Sequence, residues 1–232
     1  MKDHPISPDG PRRPDLVVFD VNETLSDMSP LAVGFEEVGA PSLLAKTWFA
    51  ELLRDGFALT VCGVAEPFAR LATESLRLKL ASQDLDRDLD EAVEHVLSGF
   101  AGLSLHPDVA QGLHALADLG VRLVTLSNGS AQVAQTLLEN AGVRPLFERL
   151  LSVEDAGIWK PASGAYDFAL AECGVDAEDA MLVAVHPWDI NGAAHAGLGT
   201  AWINRADGSY PAYFTAPDLS VASLPELARA IT

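Results

Sequence analysis

A handful of side chains in this sequence could do covalent chemistry, and they fall at intervals along the whole chain. Asp20 ends the run Asp15-Leu-Val-Val-Phe-Asp20, and a carboxylate at such a position can act as a nucleophile that carries a covalent intermediate. Thr24 follows four residues later, where its hydroxyl can hold Asp20 or the turn. Ser127 and Asn128 offer a hydroxyl and an amide just before a predicted helix, whose free N–H groups suit a carboxylate or a departing anion. Lys160, followed by Pro161, is one of four lysines in the chain. An ammonium beside Asp20 would keep that carboxylate ionised. Asp189 opens another predicted helix and could orient or deprotonate a water. His186 shares its loop and could support Lys160 or Asp189, or donate to a leaving group.

Each residue also has a plainer reading when taken alone. Asp20 and Asp189 could cap a turn or a helix. Ser127-Asn128-Gly129 could be only a strand-to-helix turn. Lys160 could be a solvated surface lysine, and Tyr166 and Trp188 could be core. The case for chemistry therefore rests on the elements that carry these residues and on whether those elements converge.

Leu16 to Phe19 is a short apolar run rich in β-branched and aromatic residues, as expected for a strand buried on both faces of a parallel sheet. From Leu31 to about Leu105 the texture is helical: Leu44, Trp48 and Leu52 recur at i, i+4 and i+8, and Ala92, Val93, Val96, Leu97 and Phe100 repeat the pattern. The apolar run Leu59 to Cys62 is the one candidate strand in this block. After it, helices over 107–119, 130–141, 163–173 and 189–196 alternate with strands over 121–126, 150–153, 181–185 and 200–204. Gly120, Gly142, Gly174 and Gly197 close the helices. Strict alternation predicts an α/β fold with right-handed βαβ units and a parallel sheet. Ligands bind such sheets at the carboxyl ends of the strands, which is where Asp20, Ser127-Asn128, the loop to Lys160 and the His186–Asp189 loop should meet.

Composition bounds the partners. The chain has 232 residues, 49% of them apolar, and 33 acidic against 15 basic side chains give a net charge of −18. Such a surface repels phosphate backbones and anionic lipid, which argues against nucleic acid and membranes as partners. A small anionic substrate would need positive charge built into its pocket. The cysteines, Cys62 and Cys173, make no disulfide framework and fit a reducing compartment. No apolar run approaches the ~18 residues of a membrane span. Residues 1–14 are polar with four prolines and read as a flexible leader. A cytoplasmic globular protein is the expectation.

Four strings, Phe19-Asp-Val-Asn-Glu-Thr-Leu25, Leu126-Ser-Asn-Gly-Ser130, Trp159-Lys-Pro161 and Pro187-Trp-Asp189, occur in the order of the four motifs of the haloacid dehalogenase (HAD) superfamily. Within it the sequence most resembles the type II L-2-haloacid dehalogenases, through those strings together with Leu151-Ser-Val153, Tyr166 and Ala201-Trp-Ile-Asn-Arg205. The resemblance implies a Rossmann-like core over 15–27 and 106–232 with an inserted helical cap over 28–105. It also implies hydrolysis of a small 2-haloacid to the 2-hydroxy acid, without metal or other cofactor, through an aspartyl ester on Asp20. Lys160 and Asp189 would then position and activate the hydrolytic water. Val21 and Asn22 through their amides, with Ser127, would hold the substrate carboxylate, and Asn128 would help cradle the halide. Thr24, Tyr166 and Trp188 complete the implied pocket, and the place of His186 in its loop puts that residue beside them. Dimerisation is common in the resembled family, and the sequence carries no decisive interface signal.

Three departures bear on substrate preference. The family's cap arginine has no obvious match, since Lys46 is the only basic residue between Asp27 and Leu53, and Arg54 lies further along its helix. Asn22 replaces a tyrosine, and Ala184 and His186 stand where serine and asparagine are usual. Two other functions remain open. A phosphatase of the same superfamily would use Mg²⁺, but it needs an acid two residues after the nucleophile, and Asn22 has no proton to give. A non-catalytic, HAD-like binding protein would not need Asp20, Lys160 and Asp189 together.

Overall fold

The computed structural model describes residues 13–232; the leader expected over 1–14 lies outside them except for its last two residues. The chain opens with strand β1 (Leu16–Phe19), whose alternating side chains enter different cores. Leu16 and Val18 face one, and Val17 and Phe19 the other. After the turn that follows Asp20, β2 (Ser26–Asp27) leads into four helices, α1 (Leu31–Glu36), α2 (Leu43–Val61), α3 (Phe68–Leu80) and α4 (Leu89–Ala101). Then β3 (Ser104–Leu105) pairs antiparallel with β2, Ser26 opposite Leu105, and pinches the entry and exit of the helical block together.

The rest alternates: α5 (Val109–Asp118), β4 (Arg122–Ser127), α6 (Ala131–Asn140), β5 (Phe147–Ser152), α7 (Val153–Ala156), α8 (Ser163–Cys173), β6 (Ala180–Ala184), α9 (Pro187–His195), β7 (Gly199–Ile203), β8 (Leu219–Val221) and α10 (Leu224–Ala230). The six longer strands form one parallel sheet in the order β5-β4-β1-β6-β7-β8. The chain winds outward from β1 to β5, then returns to β6 on the other side of β1. The strand order thus reverses at β1, the kind of switch point where open α/β sheets bind ligands. Helices α5 and α10 cover one face with Val109, Leu113, Leu116, Leu224 and Leu227. On the other face α8 and α9 bring Ala165, Tyr166, Ala169, Ile190 and Ala193 into a core that runs on into α1–α4.

The structure corrects two local expectations. Leu59 to Cys62 is not a strand but the last turn of α2 and its C-cap. Its apolar, β-branched residues suggest a strand, yet Val61 is 88% exposed and, among the described residues, no strand pairs with it. Pro107 is not the first helical residue either: α5 begins at Val109. The preceding Asp108 makes no side-chain cap and commits its carboxylate to Arg205 and the Leu224 amide. The series of elements also runs past the expected last strand to β8 and α10.

Helix α2 approaches the Trp159 side chain closely. Gly56 lies against the Trp159 ring so closely that a Cβ there would come within 2.4 Å of it. The Trp159 indole donates to the Glu66 carbonyl at 3.0 Å, and its ring stacks on Phe68. From below, Glu154 accepts from the Phe68 amide at 3.2 Å.

Candidate active site

All the loops named from the sequence meet at the carboxyl end of β1. The Asp20 amide is still held by the Val183 carbonyl of β6, so the strand fixes its backbone while the side chain leaves the sheet. Lys160 Nζ lies 3.0 Å from Asp20 Oδ1 and 2.6 Å from Asp189 Oδ2, with the lysine fully buried. Asn128 anchors that lysine at its backbone, accepting from the Lys160 amide at 3.0 Å and donating to its carbonyl at 3.3 Å. A lysine cannot be buried bare, and two carboxylates supply what it needs. The surface-lysine reading of Lys160 is excluded.

The other oxygen of Asp20 is also held. Thr24 Oγ1 donates to Oδ2 at 2.7 Å and accepts from the Val185 amide at 3.1 Å, so one hydroxyl ties the loop after β1 to the end of β6. His186 Nδ1 lies 3.2 Å from the same oxygen. Asp189 is the third residue of α9, not its cap, and is fully buried. The Tyr166 hydroxyl, also buried, donates to Asp189 Oδ1 at 2.6 Å. Ser127 Oγ accepts from the Gly129 amide at 2.9 Å, and a Cβ at Gly129 would touch both this hydroxyl and the side-chain Nδ2 of Asn22. Neither the Val21 nor the Asn22 amide donates to a backbone carbonyl among the described residues. The Trp188 ring stacks on His186 at 5.0 Å, takes the edge of Phe57 at 4.9 Å, and lies 5.9 Å from Lys160 Nζ.

The charges separate the two carboxylates chemically. Burial pushes Asp20 up, but the Lys160 ammonium, with His186 and Thr24, outweighs it and holds Asp20 well below the ordinary carboxylate range. Burial and the negative charge of Asp20 leave Asp189 above its ordinary value, although Lys160 and Tyr166 pull it down. One carboxylate therefore stays ionised and the other is the more basic, an arrangement able to pair a nucleophile with a proton acceptor. Burial works against the charged form of Lys160, yet Asp189 and Asp20 raise it overall. Burial and Asp189 push the Tyr166 phenol well above its usual value, so it stays a donor. Burial lowers His186, but hydrogen bonds to Asp20 and Glu23 carry it up to about 9.

Beside this cluster a cavity of about 350 Å³ lies between α1–α2 and the sheet end, bounded by Glu23, His106, Val185, His186 and Arg205 below and by Ala45, Lys46 and Phe49 above. The sought cap arginine is absent from it, since Arg54 is spent on an exposed ion pair with Asp55. Among the aromatics of α2 and α3, Phe49 lines the cavity and Phe57 meets Trp188, while Trp48 and Phe68 are buried in the core away from it. The sequence reading missed Glu23, whose Oε2 lies 2.8 Å from His186 Nε2. Its place inside the first motif was the only signal, and a glutamate in a polar loop ordinarily faces water.

A family model of haloacid dehalogenase-like hydrolases matches residues 14–197. The chain is 32% identical to (S)-2-haloacid dehalogenase 4A of Burkholderia cepacia over 213 residues, covering 90% of this chain and 91% of that one. It superposes with a TM-score of 0.83 and 25% identity on L-2-haloacid dehalogenase from Xanthobacter autotrophicus, over 94% of this chain and 98% of that one. A crystal structure of a dehalogenase with an intermediate complex gives a TM-score of 0.87 at 28% identity, over 93% and 96% of the two chains.

Proposed function

The chain belongs to the haloacid dehalogenase-like hydrolases, and from that premise we propose that it hydrolyses a small (S)-2-haloacid to the 2-hydroxy acid through an ester on Asp20. The observation that carries this reading is the single buried ammonium of Lys160 shared by Asp20 and Asp189. It keeps the first carboxylate ionised without blocking it, and holds the second, more basic one close by.

The reaction is two displacements. Asp20 Oδ1 attacks C2 of the haloacid, the carbon–halogen bond breaks, and the halide leaves with the electron pair. Water then attacks Cγ of Asp20 and gives its proton to Asp189, which Tyr166 and Lys160 hold in place. The Cγ–Oδ1 bond then breaks while the C2–Oδ1 bond survives, so the 2-hydroxy acid departs with the oxygen that made the ester, its configuration at C2 inverted. The amides of Val21 and Asn22 and the Ser127 hydroxyl receive the substrate carboxylate, Asn128 helps cradle the halide, and Trp188 with Phe57 walls the site. Residues 28–105 act as a cap over a core made of 15–27 and 106–232. No metal is assigned: an ammonium already bridges the two carboxylates, and a halide leaves without needing a proton. A homodimer in the cytoplasm, with neither nucleic acid nor membrane as partner, is part of the same reading.

A single turnover in ¹⁸O-water with enzyme in excess of L-2-chloropropionate tests it: the label enters the Asp20 carboxylate and not the lactate. Label found first in the product overturns the ester. Phosphate release from p-nitrophenyl phosphate that depends on Mg²⁺, with no halide release from chloropropionate or fluoroacetate, would make the protein a phosphatase instead.

A further inference from the structure

Glu23 adopts φ 63°, the left-handed conformation that favours glycine. Strain of this kind persists where the surroundings or the function demand it. Here the side chain is committed: its carboxylate takes His186 Nε2 at 2.8 Å, while His186 Nδ1 faces Asp20 Oδ2 at 3.2 Å. With a carboxylate oxygen at each ring nitrogen, both nitrogens must donate, and the ring is therefore an imidazolium. Stacking on Trp188 fixes its plane. With that charge included, Asp20, Glu23, Asp189, Lys160 and His186 sum to −1, against −2 with a neutral imidazole, at the point where an anionic substrate must arrive.

The inference rests on the ester reading given above. We propose that Glu23 is a positioning residue that holds His186 as a doubly donating cation, and that His186 and Thr24 together cradle the negative charge formed on Asp20 Oδ2 during ester hydrolysis. Oδ1, whose one donor is Lys160, carries the ester. When the water oxygen bonds to Cγ, the carbonyl electron pair moves onto Oδ2, between the Thr24 hydroxyl at 2.7 Å and the His186 ring. The water proton passes to Asp189. Collapse returns the pair to the carbonyl, and the product alkoxide leaves with the proton from Asp189. Donors already aimed at the atom where charge develops are the usual source of such stabilisation.

The imidazole is faced by Asp20 and Glu23 from the loop after β1, and Asp20 in turn pairs with Lys160, which Asp189 shares. Asp27, Lys46, His106 and Arg205 share the cavity that it borders. Ester hydrolysis should fall as pH rises through about 9, where His186 loses its proton.

Two variants test the role of Glu23. Glu23→Gln keeps the shape and removes the charge, and Glu23→Gly suits the backbone better than the native residue, so loss of folding does not cloud the result. In single turnovers with L-2-chloropropionate, both should slow hydrolysis of the Asp20 ester by roughly tenfold or more, and slow chloride release less. Protein mass spectra should show the ester accumulating. The alkaline fall of hydrolysis should move down by about one unit of pH or more, together with the imidazole midpoint followed by NMR. Unchanged ester hydrolysis and an unmoved pH profile would overturn the proposal. An unshifted His186 midpoint in Glu23→Gln would overturn it too, and this readout needs no turnover. Failure of the wild-type protein to release chloride from any 2-haloacid would instead overturn the dehalogenase reading.

Discussion

Lys160 shows most plainly how burial sets chemistry. Nothing about a lysine before a proline requires it to be buried, yet its ammonium ends between two acids and has no contact with solvent. Breaking such an arrangement from one side is costly, because the surviving charges stay buried. Lys160→Met should lower stability by about 3–5 kcal/mol in urea unfolding and abolish turnover. The two carboxylates then differ in what their loss does. Asp20→Asn keeps shape but is a poor nucleophile, so halide release should drop by at least roughly a thousandfold with the far-ultraviolet spectrum unchanged. Asp189→Asn should slow hydrolysis of the ester by roughly a hundredfold, more than its formation, and the Asp20 peptide should gain the mass of the substrate's carboxyalkyl group. Detection of only unmodified protein in single turnovers would remove Asp189 from its role as base.

Among the elements, α9 carries the most. Its first turn presents His186 at the N-cap and Asp189 at the third position, and its inner face must come close enough to α8 for the Tyr166 hydroxyl to reach Asp189. Gly192 makes that approach possible: a Cβ there would lie 2.5 Å from the Tyr166 hydroxyl and 2.9 Å from the Pro161 carbonyl. Because one of those atoms is backbone, the helix has to move. Gly192→Ala should cost about 1–3 kcal/mol by overpacking and lower kcat with it, since Asp189 shifts relative to Lys160. Thermal unfolding read beside kcat checks both, and a variant with unchanged stability and rate would show that the close approach is dispensable. The β2–β3 pair does a comparable job for α1–α4, closing the block where it leaves the sheet.

At the scale of the whole molecule, the net charge of −18 sets the background against which the site must attract an anion. The cations near the site are few, and His186 adds to them only while protonated. Its folded value of about 9 lies above the ordinary 6.5. A group whose value is raised on folding contributes stability that is complete below the unfolded value and disappears as pH rises through the folded one. The urea midpoint should therefore decline between pH 6.5 and 9 and level off above. In His186→Asn that decline should be reduced, and an equal slope in the variant would assign it to other groups.

β1 and the alternation of helices and strands from α5 to β7 were legible in the sequence because apolar periodicity is a local property of the chain, and motif spacing picked out Asp20, Thr24, Ser127, Asn128, Lys160, Tyr166, His186 and Asp189, which the fold brings to one sheet end. The sheet's inner strand is readable for the same reason: Leu16 to Phe19 is apolar on both faces, and only a strand covered on both sides needs that. What remained hidden depends on distant neighbours. Leu59 to Cys62 has the composition of a strand, but without a sheet edge beside it the backbone keeps the helical hydrogen bonds of α2. Glu23 looks like a solvated loop acid until the turn after β1 and the start of α9 bring it to His186, 163 positions later in the chain. Which oxygen of Asp20 meets Lys160 and which meets Thr24 and His186 is likewise a matter of tertiary geometry. Side-chain type fixes what chemistry is available, but hydrogen bonds act over about 3 Å, and only the folded chain decides which groups come that close.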